Sequence, residues 1–140
     1  MVKDANNDTK IFTIALLLST YFIYNSVGTI NEVALSELEM VTTLSKYIKT
    51  GNGAGSTDND QIHRFMPKFM WLLRDFTLKP EDDRGRRISP SQYLENCLND
   101  RRAGEDSKKI KKSIMSYFPN RECLTLVQPV DDEEELQKLN

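Results

Sequence analysis

Histidine and cysteine are scarce in this chain, whose 140 residues hold one His and two Cys. A zinc site or a Ser-His-Asp relay would rest on the single ring of His63. Cys97 and Cys123 show neither a CxxC spacing nor the density of a disulfide-stapled scaffold. These scarcities exclude zinc, disulfide and most His-based designs, so any chemistry here has to be electrostatic. Charge of one sign is lacking too. The 19 Lys and Arg against 21 Asp and Glu leave a net charge of -2, unlike a strongly basic nucleic-acid binder. No apolar run reaches the ~20 residues of a bilayer span. What is present, 39% hydrophobic and 29% charged residues, is the composition of an ordinary folded domain.

The longest apolar run, Ile11 to Ile23, is interrupted only by Thr13, Ser19 and Thr20. Its Leu-rich centre has the length of a signal-peptide core, which makes a secreted or membrane-tethered interaction protein one alternative. The flanks oppose it: Asp4 and Asp8 offset Lys3 and Lys10, and no small-x-small cleavage site follows the leucines. Two buried elements in succession fit better. The pattern predicts a helix over residues 9–18 and a β-prone strand over residues 20–24.

Thr29 reads as a helix cap with Glu32 three residues on. Ile30, Val33, Ala34, Leu38, Val41, Leu44 and Ile48 then recur at helical spacing. Residues 51–60 form a Gly- and Asp-rich loop. Its Gly51, Gly53 and Gly55 do not make a nucleotide loop, because they follow a helix and no Lys-Ser or Lys-Thr comes after them. Phe69 to Leu73 are apolar without a break, as suits the middle of a covered parallel sheet. Arg74 and Asp75 are the first polar residues beyond that run, at the kind of edge where open α/β sheets bind ligands. A surface ion pair or a turn-initiating Asp is the other reading of those two residues.

The alternation continues. Ser89, Pro90 and Gln92 predict a capped helix over residues 90–98. Ile110, Ile114, Tyr117 and Phe118 predict a second, with Lys108, Lys109, Lys111 and Lys112 on its wet side. Cys123 to Val127 read as a third strand, and residues 131–140 as an acidic tail. The basic stretch raises the alternative of a weak nucleic-acid binder, but no aromatic residues interleave it to stack bases. A solvated helix face fits it better. Five adjacent carboxylates without a Gly or Asn turn likewise do not make a calcium loop.

Three segments together, Tyr21 to Asn31 with its Asn25-Ser26-x-Gly28-Thr29-Ile30-Asn31, Phe69 to Phe76 with Trp71-x-x-Arg74-Asp75-Phe76, and Phe118-Pro119-x-Arg121-x-Cys123, resemble the guanylate-binding proteins, dynamin-like large GTPases related to atlastins. The resemblance runs from about Asn7 to Val130. It implies an α/β fold: a partial P-loop GTPase (Ras-like) sheet of three adjacent parallel strands with helices on both faces. Residues 1–140 would then be the C-terminal part of such a GTPase domain.

The resemblance further implies that Arg74 and Asp75 recognise guanine, and that Leu126, Val127, Gln128 and Pro129 begin the family's guanine cap. GTP would be the substrate, Mg2+ a cofactor of the intact domain only, and a homodimer through the GTPase domain the assembly of the intact protein. It implies a cytoplasmic protein and no nucleic-acid partner, and leaves room for membrane association of the intact protein. Leu72 stands where better-known members carry Thr, and Gln128 where Arg is frequent; an amide hydrogen-bonds but does not neutralise phosphate. No P-loop Lys-Ser, first-switch Thr or second-switch Asp-x-x-Gly is found. The expectation is a base-reading fragment with no catalytic residues and no metal ligands of its own, inactive when alone.

Overall fold

The computed structural model describes residues 2–50, 66–82, 84–100, 102–128, 130, 132 and 138. The 51–60 loop, His63, Arg101, Pro129 and most of the 131–140 tail lie outside the described residues. At the centre is a strand, β2 (Lys68–Arg74), whose Phe69, Trp71 and Leu73 alternate inward. It is flanked by β1 (Tyr21–Val27) and β3 (Arg121–Leu126) in the order β1-β2-β3, with both pairings parallel. The expected sheet of three adjacent parallel strands is present.

Parallel neighbours need crossover connections, and the chain supplies helices for them. Helix α1 (Val2–Leu18) ends at the break in the apolar run, and β1 starts three residues later. The run is thus two elements, though the helix begins earlier and the strand continues three residues past Tyr24. No helix among the described residues is long and apolar enough to cross a membrane. Helix α2 (Glu32–Thr50) is capped by Asn31, whose Oδ1 accepts from the Ala34 N–H at 2.9 Å, and not by Thr29. The shift follows from β1 extending to Val27, so that Gly28 turns the chain at φ 76° and postpones the helix.

Of the stripe that its periodicity suggests, Ala34, Leu38 and Val41 of helix α2 are buried and Leu35 joins them, whereas Val33 is 67% exposed. Helix α3 (Pro90–Leu98) is capped as expected, with Ser89 Oγ accepting from the Gln92 N–H. Helix α4 (Glu105–Tyr117) buries Ile114 and, against expectation, Lys111, whose neighbour across the helix packing is Glu32 of α2.

One core joins these elements. Phe22, Tyr24, Phe69, Trp71, Leu73 and Cys123 of the strands meet Leu16, Leu38, Leu94 and Ile114 of the four helices, together with Phe118. Its rings interlock: Phe69 stacks on Phe118 at 4.5 Å and meets Trp71 edge-on at 6.1 Å, while Phe12 of α1 stacks on Tyr24 at 5.5 Å. The helices therefore cover the Phe22-Trp71-Cys123 face. On the opposite face Ile23 and Leu124 remain exposed and Met70 and Leu72 half-buried, so the described residues supply helical cover on one side.

Candidate functional site

Parallel strands bring their carboxyl ends to one edge, and here three ends converge. Val27, Arg74 and Leu126 lie side by side in register. Arg74, expected just past the strand, is its last residue; Asp75 is the first beyond it. β1 holds Arg74 at its end, and the turn after β1 holds it again. Arg74 Nε donates to Asn25 Oδ1 at 3.0 Å, and the Gly28 N–H donates to the Arg74 carbonyl at 2.7 Å.

Asp75 follows at φ 53°, the one non-glycine residue with positive φ among the described residues. The cause is local. Phe76 must enter the core, where it is 4% exposed and meets Tyr93 edge-on at 5.3 Å, while its N–H donates to the Leu126 carbonyl at 3.2 Å. Reversing from an extended Arg74 to a buried Phe76 through a single residue requires the left-handed region, which Asp tolerates better than most side chains. The Asp75 side chain is exposed, and among the described residues its carboxylate has no hydrogen-bond donor or cation against it.

Leu126 and Val127 extend the edge along and beyond β3, with exposures of 45% and 73%. Gln128 is exposed next to them. The structure thus gathers Arg74, Asp75, Leu126 and Val127 at one edge with Gln128 following, while Pro129 falls outside the described residues. Asn25 and Gly28 belong to this edge and are not among the residues expected there. The signal lay in the Asn25-Ser26-x-Gly28 segment itself, since a strand that runs on to Val27 ends opposite Arg74.

Neither cysteine is poised as a nucleophile. Burial pushes the Cys123 thiol up to about 12 and raises Cys97 as well, so both stay protonated at neutral pH. Burial, with Cys97 alongside, likewise pushes the Tyr93 hydroxyl up to about 12. The basic helix offers little as a second site. Lys108 pairs with Glu105 at 2.8 Å, Lys109 with Asp106 at 3.2 Å, and Lys111, with only 7% of its side chain exposed, lies 3.9 Å from Glu32. The wet-side assignment of Lys111 is corrected by this burial. Position 111 shares a stripe with Ile114 and Phe118, and only its charged end reaches a partner.

Among the described residues no three or more His, Cys, Asp or Glu side chains are grouped to hold a metal ion. The strand ends themselves bring one carboxylate to the carboxyl edge, that of Asp75, beside a guanidinium, amides and aliphatic groups. That donor set does not fit Mg2+.

Comparison with known proteins points in one direction. A family model described as "Guanylate-binding protein, N-terminal domain" matches residues 2–140. Guanylate-binding protein 1 of Mus musculus is 41% identical over 143 residues, covering 97% of this chain and 24% of that protein. Guanylate-binding protein 6 of Mus musculus is 39% identical over 144 residues (98% and 23%). Guanylate-binding protein 2 of Homo sapiens is 39% identical over 133 residues (90% and 22%). The chain spans about a quarter of the length of these curated relatives.

Proposed function

Because this chain belongs to the guanylate-binding protein family, in the region of the N-terminal domain, we propose that its carboxyl edge reads the guanine base of GTP on behalf of a larger GTPase. The observation that carries this reading is the Asp75 carboxylate, exposed and unpaired among the described residues, at the end of the central strand. Guanine offers two adjacent donors, N1–H and the 2-amino group, and one ionised carboxylate accepts both. Adenine has an acceptor at N1 and no 2-amino group, so it leaves the carboxylate unanswered. Each charge-assisted bond lost is worth about 1.5 to 3 kcal/mol, and two amount to roughly a hundredfold or more in discrimination. The guanidinium of Arg74 supplies a flat cation for the purine face. Leu126 and Val127, with Gln128 and Pro129 following, offer apolar cover as the start of a cap.

Phosphate binding and hydrolysis are assigned to other parts of the intact protein. Mg2+ is placed there also. The 140-residue chain alone is accordingly expected to hydrolyse nothing and to bind GTP no better than millimolar. Submillimolar binding in isothermal titration calorimetry would count against that division of labour. Homodimerisation through the GTPase domain and a cytoplasmic location form part of the same proposal for the intact protein. Nucleic acid is not a partner in this reading, which the pairing of Lys108, Lys109 and Lys111 with carboxylates supports.

The test is an Asp75→Asn substitution in a complete homologous GTPase domain carrying this segment. Asn keeps the shape and the tolerance of positive φ, but exchanges one acceptor oxygen for a donor. The expected outcome is a fall in the GDP-over-ADP affinity ratio of roughly a hundredfold. An unchanged ratio would show that Asp75 is not the reader.

A further inference from the structure

The end of β1 carries a residue that the reading above does not use. Asn25 lies on β1 opposite Leu72, two register steps before the strand reaches Arg74, and its Oδ1 accepts from Arg74 Nε at 3.0 Å. The turn that follows binds the Arg74 backbone, through the Gly28 N–H at 2.7 Å. Among the described residues no carboxylate pairs with Arg74, so the Asn25 amide oxygen is the acceptor that orients its guanidinium.

We propose that Asn25 is a positioning residue which sets the plane of the Arg74 guanidinium as a stacking platform for the purine ring. The inference rests on the base-site reading of the preceding subsection. The choice of nitrogen decides what the guanidinium can still do. A guanidinium carries five N–H donors in one plane. Engaging Nε alone ties down the root of the fork and leaves both terminal nitrogens and both faces of the plane available. An acidic partner taking the terminal nitrogens bidentately would occupy that end and neutralise the charge. A neutral amide restrains without neutralising, so Arg74 keeps its full charge beside an anionic nucleotide. An unrestrained Arg side chain would have to surrender rotamer freedom at the moment of binding; one already fixed does not.

Stacking on a guanidinium does not distinguish guanine from adenine, whereas the acceptor pair of Asp75 does. The two residues therefore predict separable effects. The experiment is a titration of a complete homologous GTPase domain carrying this segment with GMP and with AMP, followed in 1H–15N spectra that include the Arg74 Nε–H signal. Asn25→Ala is expected to weaken both nucleotides alike, by roughly threefold to tenfold for one lost restraint, and to accelerate solvent exchange of the Arg74 Nε–H. Asn25→Asp keeps the acceptor and is expected to restore the protected Nε–H signal. On an Arg74→Ala background, Asn25→Ala should weaken GMP no further, since positions 25 and 74 act as one unit. An equal loss on that background, or unchanged GMP affinity in Asn25→Ala, would overturn the positioning role, and so would the absence of saturable shifts with either nucleotide. Failure of the base-site reading looks different: Asp75→Asn leaves the GMP-over-AMP ratio unmoved while the coupling between positions 25 and 74 persists.

Discussion

Trp71 and Asp75 sit four positions apart, on and just past the same strand, and live in different solvents. Trp71 is fully buried, ringed by Tyr24 and Phe69, with its indole N–H donating to Ser26 Oγ at 2.9 Å. Asp75 is exposed and left-handed. Packing energy is concentrated where the aromatic rings interlock, and polar groups accumulate where the strands stop. An edge that contributes little to folding is free to carry groups chosen for a ligand, because a rigid layer below holds them in place.

The largest expected loss lies on the core side. Trp71→Ala is expected to cost about 3–5 kcal/mol, from lost burial, a cavity at the centre of the sheet and an unanswered Ser26 hydroxyl. Urea denaturation followed by circular dichroism measures it; a loss below about 1 kcal/mol would mean that the core is not organised around this ring. Next in size is the clamp at the far end of β3. Arg121 donates twice to Glu95, at 2.7 Å each, and once to the Phe118 carbonyl at 3.0 Å, closing the end of α4. Glu95→Ala strands a half-buried guanidinium and should cost about 1–3 kcal/mol, with Glu95→Gln recovering part of it.

How legible all this was in the chain depended on what each residue answers to. The strand and helix alternation could be read because apolar periodicity and caps such as Ser89 are local. Lys111 and Val33 were misplaced because burial on a helix is decided by the neighbouring helix, and α4 packs on α2 at an angle that periodicity does not specify. The cap at Asn31 in place of Thr29 depended on where β1 ends, a matter of pairing with β2. At the candidate edge, Arg74 and Asp75 were visible as the first polar residues after an apolar strand. Asn25 was not, because its relation to Arg74 is a cross-strand hydrogen bond between residues 49 positions apart.

A smaller effect separates the two regions by pH. The Cys123 thiol is neutral in the fold up to about 12, because burial disfavours the thiolate, whereas the unfolded thiol releases its proton near 9.0. A folded pKa raised above the unfolded one means that stability is complete below pH 9.0 and is lost progressively as pH climbs toward about 12. Over the first unit above the unfolded value the loss is at most about 1 kcal/mol. Tyr93, raised in the same direction from 10.0, adds to it later. Urea midpoints measured across this window should fall, and Cys123→Ala should flatten the early part of the fall. A midpoint that rises with pH in the wild-type chain would contradict burial as the cause.

The smallest effect on folding is expected where the largest effect on binding is proposed. The Asp75 side chain makes no bond among the described residues that a substitution would break, so its share of stability is conformational. Asn accepts the left-handed region about as readily as Asp, and Asp75→Asn should leave the unfolding free energy within about 0.5 kcal/mol of the parent. Ala does not, and Asp75→Ala should cost about 1 kcal/mol from the backbone conformation alone. Asp75→Gly removes the side-chain strain but frees the unfolded chain, and should fall near the parent. The order Ala below Gly and Asn, read by urea denaturation, isolates backbone strain from chemistry at this one position. If Asp75→Asn instead destabilised as much as Glu95→Ala, the carboxylate would be serving the fold, and the contrast between a packed interior and a free edge would fail at the residue on which the proposed base reading depends.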